Sequence, residues 1–169
     1  MKIAACEGKS ELRLILHLIE RGIFFAKTEE LIDDRPIHMR QLKDIAALIN
    51  TLDIDEKIEV YRIGDTQKDD YDLSGFEARK DNITIYKVCT KPEIEILVII
   101  SEGLYKDFCK KHHEHNISPK EYSRIYIKGY SSVEKYIDSH DIVPAIKEYK
   151  RIKKHKEDEL YLADLIKDK

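Results

Sequence analysis

The chain has 169 residues, of which 42% are hydrophobic. That is enough for one well-buried core and too little for two ordinary domains. Its 30 Lys and Arg residues nearly balance its 33 Asp and Glu residues, giving a formal net charge of -3, which excludes a general polyanion-binding surface and leaves only local nucleic-acid binding open.

The cysteines and the apolar segments indicate where the protein works. Three cysteines without a C-x-x-C pair predict neither a disulfide framework nor a zinc ribbon and favour a reducing compartment. Charged Glu7 and Lys9 follow the first apolar residues at once, and no apolar segment approaches the ~20 residues that a membrane-spanning helix needs. We therefore expect a soluble, cytoplasmic protein with no membrane partner.

The first third of the sequence predicts two strands, each followed by a helix. Lys2–Cys6 is a short apolar run typical of a strand, and the apolar residues of 12–23 recur at helical spacing, with Gly22 where a C-capping glycine is expected. Residues 28–33 predict a second, short strand. Pro36 is expected to open a helix over residues 36–52.

The middle of the sequence repeats this alternation. Residues 57–64 (KIEVYRIG) alternate polar and apolar side chains and are rich in β-branched and aromatic types, which predicts a strand, and a polar, acidic loop follows at 66–81. Ile83–Cys89 (ITIYKVC) predicts another strand. Pro92 is expected to open a buried helix over residues 93–102.

Strands separated by helices predict an α/β fold with a mainly parallel sheet flanked by helices. We expect residues 1–117 to form this core. From the Ser118-Pro119 pair onward the pattern is helical, so residues 118–169 are expected to be a helical C-terminal extension of the same domain.

Acidic residues stand at the carboxyl ends of the predicted strands. Glu7 ends the first strand and Asp65 ends the KIEVYRIG strand, with Glu11 one helical turn beyond Glu7. Glu93 and Glu95 follow the ITIYKVC strand. Ligands bind outside the carboxyl ends of the strands in open α/β sheets, so we expect these side chains to line one pocket.

Carboxylates gathered in one pocket repel one another unless a cation neutralises them. Mg²⁺ or Mn²⁺ suits such oxygen ligands and would activate a water molecule that attacks a phosphoryl group. The predicted metal ligands are Glu7, Glu11, Asp65, Asp69, Glu93 and Glu95. The predicted catalytic residues are Glu7, Asp65, Glu95 and Lys91, with Lys9, Lys68 or Lys91 stabilising the developing negative charge. Helix capping through backbone N–H groups is the alternative role of these acids, above all of Glu93.

Three segments resemble the Toprim family. CEGKSE at residues 6–11 resembles the opening motif of Toprim domains, with Glu7 at the place of the family's first catalytic glutamate. IGDTQKDD at residues 63–70 falls where Toprim proteins carry their strand-ending aspartates. KPEIEIL at residues 91–97 resembles the Pro-x-x-Glu segment of RloB-like and OLD-type nucleases, with Glu95 on their later acidic ligand.

The resemblance covers about the first two thirds of the chain. It implies a Mg²⁺- or Mn²⁺-dependent nuclease that hydrolyses DNA or RNA, of the kind found in phage-defence systems beside a partner ATPase, and it implies Glu11 as the second glutamate of OLD-type domains. The chain departs from the family's Asp-x-Asp, which here reads Asp65-Thr66-Gln67, so the second aspartate is missing unless Asp69 or Asp70 replaces it. A non-catalytic Toprim-like module that binds nucleic acid or a partner protein therefore stays open.

Two clusters lie outside this pattern. The Lys-rich segment 147–156 is typical of a solvated helix face, and it is also suited to gripping a phosphate backbone with Tyr149 stacked on a base. The predicted nucleic-acid contacts are Lys9, Lys68, Lys150, Arg151, Lys153 and Lys154. His112, His113 and His115 predict a surface loop rather than a zinc site, because no fourth ligand is evident.

Several properties stay open at this stage. The sequence does not choose between DNA and RNA or between endonuclease and exonuclease activity. It also leaves open a toxin-like enzyme acting on a nucleotide, a homo-oligomer, and dependence on a partner.

Overall fold

The computed structural model describes residues 1–65, 71–153 and 159–167. Its strands are β1 (Lys2–Cys6), β2 (Ile37–His38), β3 (Ile58–Gly64), β4 (Ile83–Cys89) and β5 (Leu160–Tyr161). They form one five-stranded sheet in the order β2-β1-β3-β4-β5, and every neighbouring pair is parallel. The protein is therefore α/β with an all-parallel sheet.

The described helices lie around the sheet: α1 (Lys9–Glu20), α2 (Ala46–Ile49), α3 (Ile96–Ser101), α4 (Tyr105–His115), α5 (Pro119–Tyr126), α6 (Val133–Ser139) and α7 (Val143–Ile152). Short 3₁₀ turns occupy Thr28–Glu30, Ile32–Asp34, Leu42–Ile45, Glu77–Asn82 and Leu162–Leu165. None of the helices in these described parts is both long and apolar enough to cross a membrane.

Alternation along the strands creates two apolar cores, one on each face of the sheet. In β1, Ala4 and Cys6 pack with α1 and α3–α7, whereas Ile3 and Ala5 pack on the opposite face with the 3₁₀ turns before α2. A sheet covered on both faces needs strands that are apolar throughout, and β1 is fully buried from Ile3 onward. The two layers hold the strand ends rigid, which is what positions a site at the edge of the sheet.

The region between β1 and β3 departs from the sequence-based prediction. The strand predicted at 28–33 is wrong, because Thr28–Glu30 and Ile32–Asp34 form 3₁₀ turns and Leu31 between them makes an isolated parallel bridge to Lys2. In the second turn, Asp33 adopts a left-handed conformation (φ 56°) that aspartate tolerates. The helix predicted over 36–52 is also wrong for most of its length. Pro36 precedes β2, which pairs with Ala5 and Cys6 of β1, and regular α-helix is confined to α2.

The region after β4 requires three corrections. The helix predicted over 93–102 begins later, at Ile96. His112, His113 and His115 lie in the last turn of α4 rather than in a loop, although all three are exposed. The extension from Ser118 begins with the predicted cap, in which the Ser118 hydroxyl accepts a hydrogen bond from the Glu121 N–H at 3.2 Å, but it is not wholly helical, because β5 returns to pair with β4.

Candidate functional site

The sheet has a topological switch point between β1 and β3. The chain leaves β1 for β2 on one side and then returns to place β3 on the other side of β1. Crossover segments from these two strands run away from each other, which opens a crevice outside their carboxyl ends. Glu7 and Asp65 are the first residues after β1 and β3, so local sequence alone sets both carboxylates at this crevice.

The crevice is a cavity of about 540 Å³. It is lined by Glu7, Gly8, Ser10, Glu11, Arg40, Gln41, Arg62, Asp65, Glu93, Ile94, Glu95 and Lys120. Arg62 lies within β3, and the other residues follow β1, β2, β3 and β4 or belong to helices packed beside them. We call this space the acidic cavity, because five carboxylates and three cationic side chains line it.

Glu7 is held by an arginine inside the acidic cavity. The Arg62 Nε donates to Glu7 Oε1 at 2.6 Å, and both side chains are nearly buried, with 9% and 14% of their surfaces exposed. The Arg62 guanidinium also lies 4.6 Å from the ring centroid of Tyr71. Burying an ion pair desolvates both groups, and separating the partners would leave an uncompensated buried charge, which is strongly destabilising. The pair with Arg62 therefore fixes the orientation of the Glu7 carboxylate.

The end of β3 makes room for that carboxylate. A Cβ atom at Gly64 would lie 2.1 Å from Glu7 Oε2 and 2.8 Å from Glu7 Cγ. Gly64 has ordinary β-strand geometry, so its role here is close approach rather than an unusual backbone angle. The glycine before Asp65 is therefore part of the site.

Glu11 is a buried acid on the first turn of α1. Its residue is 8% exposed, and its Oε1 accepts a hydrogen bond of 3.5 Å from the Thr90 hydroxyl at the end of β4. Burial raises the pKa of Glu11, and the neighbouring Asp65, Glu95 and Glu7 carboxylates raise it further. The structure thus brings Glu11 beside the acids that follow β1, β3 and β4.

The two glutamates after β4 differ in their contacts. Glu93 Oε2 accepts a hydrogen bond of 3.0 Å from the Lys120 N–H at the start of α5, so Glu93 caps α5 rather than the helix after β4 that it was predicted to open. Glu95 makes no side-chain cap to α3. Burial raises the pKa of Glu95, and the charge of Glu93 adds to this effect, so Glu95 is the acid of this pair that lacks full compensation.

Arg40 and Lys120 complete the cavity on its two sides. Arg40 follows β2, and Lys120 lies in the first turn of α5, whose helix packs on α3. Both are exposed, and neither has an ion-pair partner within 4.0 Å in the part of the chain that the structure describes. Gln41, next to Arg40, has a buried Oε1 that accepts no hydrogen bond from the described residues.

The predicted cations lie elsewhere or outside the described residues. The Lys91 ammonium is 3.6 Å from Glu159 Oε1, and neither Lys91 nor Lys9 lines the acidic cavity. Lys68, Asp69 and Lys154 lie outside the described residues. Asp70, the other candidate for the second aspartate of the Asp-x-Asp motif, also lies outside them. The structure therefore supplies Arg40, Arg62 and Lys120 at the cavity in place of Lys91 and Lys9.

Two cations of the basic helix α7 form ion pairs within the chain. Lys150 forms an ion pair with Asp164, and Arg151 NH2 lies 2.6 Å from Glu148 Oε1. Lys153 lies over the Tyr149 ring at 5.6 Å from its centroid. The base-stacking role of Tyr149 is wrong, because its side chain is 1% exposed and its hydroxyl donates to the Lys91 carbonyl.

The described residues hold no preformed set of metal ligands. Across residues 1–65, 71–153 and 159–167, no group of three or more His, Cys, Asp or Glu side chains is placed to hold an ion. In the histidine cluster, His112 Nδ1 lies 2.8 Å from the Ile117 carbonyl and its ring stacks on Phe108. The carboxylates of the acidic cavity share one space without closing into a ligand shell.

Sequence reasoning missed Arg62, Arg40 and Lys120. A signal for Arg62 was present, since it is the single basic residue within the strand IEVYRIG and is 7% exposed, and a buried arginine requires an acidic partner. Arg40 and Lys120 carry no such signal, because their places at the cavity depend on β2 and α5.

No protein-family model, curated protein or solved structure matches this chain. The geometry of the acidic cavity and the residues around it therefore carry the functional argument.

Proposed function

We propose that the protein is a Toprim-like, Mg²⁺- or Mn²⁺-dependent phosphodiesterase that hydrolyses DNA or RNA. The observation that carries this proposal is that Glu7, Glu11, Asp65 and Glu95, separated by up to 88 positions in the sequence, line one cavity at the switch point of a parallel sheet. The resemblance of the segments around these residues to Toprim motifs supports the same conclusion.

The donor chemistry of the acidic cavity fits a hard divalent cation. All of its acidic lining groups are carboxylates, which are the oxygen ligands that Mg²⁺ and Mn²⁺ prefer. The raised pKa values of Glu11 and Glu95 show that burial and mutual repulsion disfavour their charged forms, and a bound cation would remove that cost. Glu7, Asp65, Glu11 and Glu95 are the residues that would hold it.

The residues of the cavity have different roles in the proposed phosphodiester hydrolysis. A bound divalent ion supplies polarisation of the phosphoryl group and a water of lowered pKa. Arg62 and Gly64 keep the Glu7 carboxylate at the end of β1 in one orientation. Asp65 adds a second carboxylate from the neighbouring strand, and Arg40 and Lys120 provide positive charge for the phosphate oxygens.

A second candidate is a non-catalytic Toprim-like module that binds nucleic acid or a partner protein. The specific observation favouring it is that Arg62 already neutralises Glu7 at 2.6 Å and that no ligand set is preformed in the described residues. In this case the carboxylates would be a structural feature of the strand ends, and Arg40 and Lys120 would act in binding alone.

Cleavage of labelled DNA and RNA oligonucleotides with Mn²⁺ tests the proposal. We expect Asp65→Asn and Glu95→Gln to lower the rate by at least about 10³-fold, because a metal ligand contributes several kcal/mol to stabilising the transition state. Asp55→Asn is the matched control, since Asp55 is exposed and lies before β3 at the opposite end of the sheet. Full activity of both cavity variants would refute the nuclease.

Thermal melting separates the two candidates. An ion at a hundred times its dissociation constant adds about 2.7 kcal/mol to the free energy of unfolding. We expect Mn²⁺ to raise the Tm of the wild type and of Asp55→Asn, and not that of Asp65→Asn. A wild type whose Tm does not respond to Mg²⁺ or Mn²⁺ would favour the binding module.

A further inference from the structure

Two of the three cations of the acidic cavity, Arg40 and Lys120, lie at its two sides, whereas Arg62 of β3 lies between them. Arg40 follows β2, whereas Lys120 lies at the start of α5, beside the glutamates that follow β4. The ends of β1 and β3, with Glu7 and Asp65, lie between them in the sheet. Across the carboxyl edge, Glu7 and Asp65 therefore lie between Arg40 on the β2 side and Lys120, with Glu93 and Glu95, on the β4 side.

The strand register places these positions on one level. His38 pairs with Cys6, Cys6 with Ile63, and Gly64 with Cys89, so the four strands end side by side. Three strand spacings of ~4.8 Å separate β2 from β4, which puts the two cationic sides about 14 Å apart before side-chain reach is counted. Consecutive phosphates along a strand suit two cations that start from opposite sides of the cavity better than a single phosphate does.

The two cations at the sides of the cavity indicate that a ligand spanning the distance between them is a polyanion. Arginine and lysine are the usual partners of phosphate oxygens, and positive charge is needed where an anion enters past carboxylates. Arg40 and Lys120 are exposed, and neither has an ion-pair partner within 4.0 Å among the residues described. By contrast, Arg62 is committed to Glu7.

Gln41 gives an independent indication of a ligand on the β2 side. It lines the cavity next to Arg40, and its Oε1 is buried without a donor in the described part of the chain. A buried acceptor without a donor is energetically unfavourable. A hydroxyl or amino group of a nucleotide held by Arg40 would supply the missing donor.

We propose that Arg40 and Lys120 bind the phosphates on either side of the scissile one, so that a single nucleic-acid strand crosses the carboxyl edge of the sheet from β2 to β4. This inference rests on the proposed nuclease and specifies its substrate. The substrate is a polymer strand with at least three consecutive phosphates rather than a free nucleotide.

The test measures binding apart from cleavage. The probe is a fluorescent 12-nucleotide single strand, in DNA and RNA forms, titrated by anisotropy with Ca²⁺ in place of Mn²⁺ and shown to stay intact by gel electrophoresis. We expect Arg40→Ala and Lys120→Ala each to raise Kd about tenfold. Each should also reduce the slope of log Kd against log salt by about 0.7, the value for one single-strand phosphate contact.

The control variant carries the same charge change away from the cavity. Lys106→Ala with Lys110→Ala removes two exposed cations from α4 and should leave Kd and the salt slope unchanged. Equal values for this control and for the Arg40→Ala, Lys120→Ala double variant would overturn the strand path, as would a wild type that binds neither probe. The double variant could show a reduced salt slope while the wild type shows no Mn²⁺-stimulated cleavage. This result would refute the nuclease but still support the phosphate contacts of Arg40 and Lys120.

Discussion

The acidic cavity and the basic helix α7 are both rich in charge, yet they differ in how that charge is compensated. On α7, Lys150 pairs with Asp164 and Arg151 with Glu148. In the cavity, burial and neighbouring acids raise the pKa values of Glu11 and Glu95. The Lys150 and Arg151 charges of α7 therefore have partners within the chain, whereas the cavity holds acids whose charged forms a ligand would still stabilise.

This difference shows that the number of charged residues in a segment is a poor guide to function. Exposed pairs on a helix contribute little free energy and are screened by salt. Acids gathered at the ends of parallel strands lose hydration and repel one another, which is a cost that a binding site can recover on ligand binding. Three sets of variants test whether the two regions differ in this way.

The largest effect is expected for Gly64→Ala. The new Cβ would overlap the Glu7 side chain, with 2.1 Å to Oε2, and would force the carboxylate away from Arg62. Breaking a buried pair costs about 3 kcal/mol, so we expect a lower free energy of unfolding together with a loss of Mn²⁺-dependent cleavage. Urea unfolding and the oligonucleotide assay measure the two effects.

Gly8→Ala is the matched control for this variant. A Cβ at Gly8 would lie 2.5 Å from Glu11 Oε2 but 3.5 Å from Glu11 Cδ, so a small rotation of the carboxylate relieves the contact. We expect a cost of about 1 kcal/mol. Gly64→Ala with wild-type stability and activity would contradict the role assigned to the close approach.

An intermediate effect is expected for Glu11→Gln. The folded-state pKa of Glu11 is raised above its ordinary value of 4.5, first by burial and then by neighbouring carboxylates. The folded wild type therefore binds the proton more tightly than the unfolded chain, and its stability falls as pH rises from 4.5 through the folded-state pKa. The glutamine variant avoids this loss.

Melting curves across pH measure the effect. We expect Glu11→Gln to match the wild type below pH 4.5 and to exceed its Tm by a few degrees at pH 7. Mn²⁺ should erase that advantage at pH 7, because the ion stabilises the wild-type carboxylate. A variant less stable than the wild type at pH 7 without metal would contradict the picture of an uncompensated buried acid.

The smallest effect is expected on α7. Lys150→Ala and Arg151→Ala each remove one member of a pair whose side chains are at least one quarter exposed. We expect each to change the free energy of unfolding by at most about 0.5 kcal/mol and to leave oligonucleotide Kd unchanged. A tenfold loss of binding in either variant would show that the basic helix contacts nucleic acid and that its internal pairs open to do so.

The part of the candidate site that follows directly from the ends of the strands could be predicted from sequence. Glu7 and Asp65 follow apolar or alternating segments whose limits can be read locally, and both reach the cavity. Glu93 and Glu95 could be placed at the cavity, and the position of Glu93 already favoured helix capping, but the helix that it caps could not be identified. Their difference depends on the N–H of Lys120, which α5 brings to Glu93 from 27 residues away.

The prediction at 36–52 failed for an instructive reason. The apolar residues Met39, Leu42, Ile45 and Ile49 do recur at three- and four-residue steps, and all four are buried against one face of the sheet. The three- and four-residue spacing therefore reflects burial on one face of the sheet and does not indicate a continuous helix. The pairing of β2 with β1 took the first residues of the segment into the sheet, which local propensity does not register.

β1, β3 and β4 and the acids that follow them can be predicted from local sequence, because each of these strands is long enough to show its apolar pattern. β2 and β5 depend on the tertiary structure, because they are two residues long and exist through hydrogen bonds to distant strands. The tertiary structure also decided which charges are neutralised, since Arg62 and Glu7 are 55 residues apart. Charge compensation acts through space, and a linear pattern records it only where the partners are neighbours in the chain.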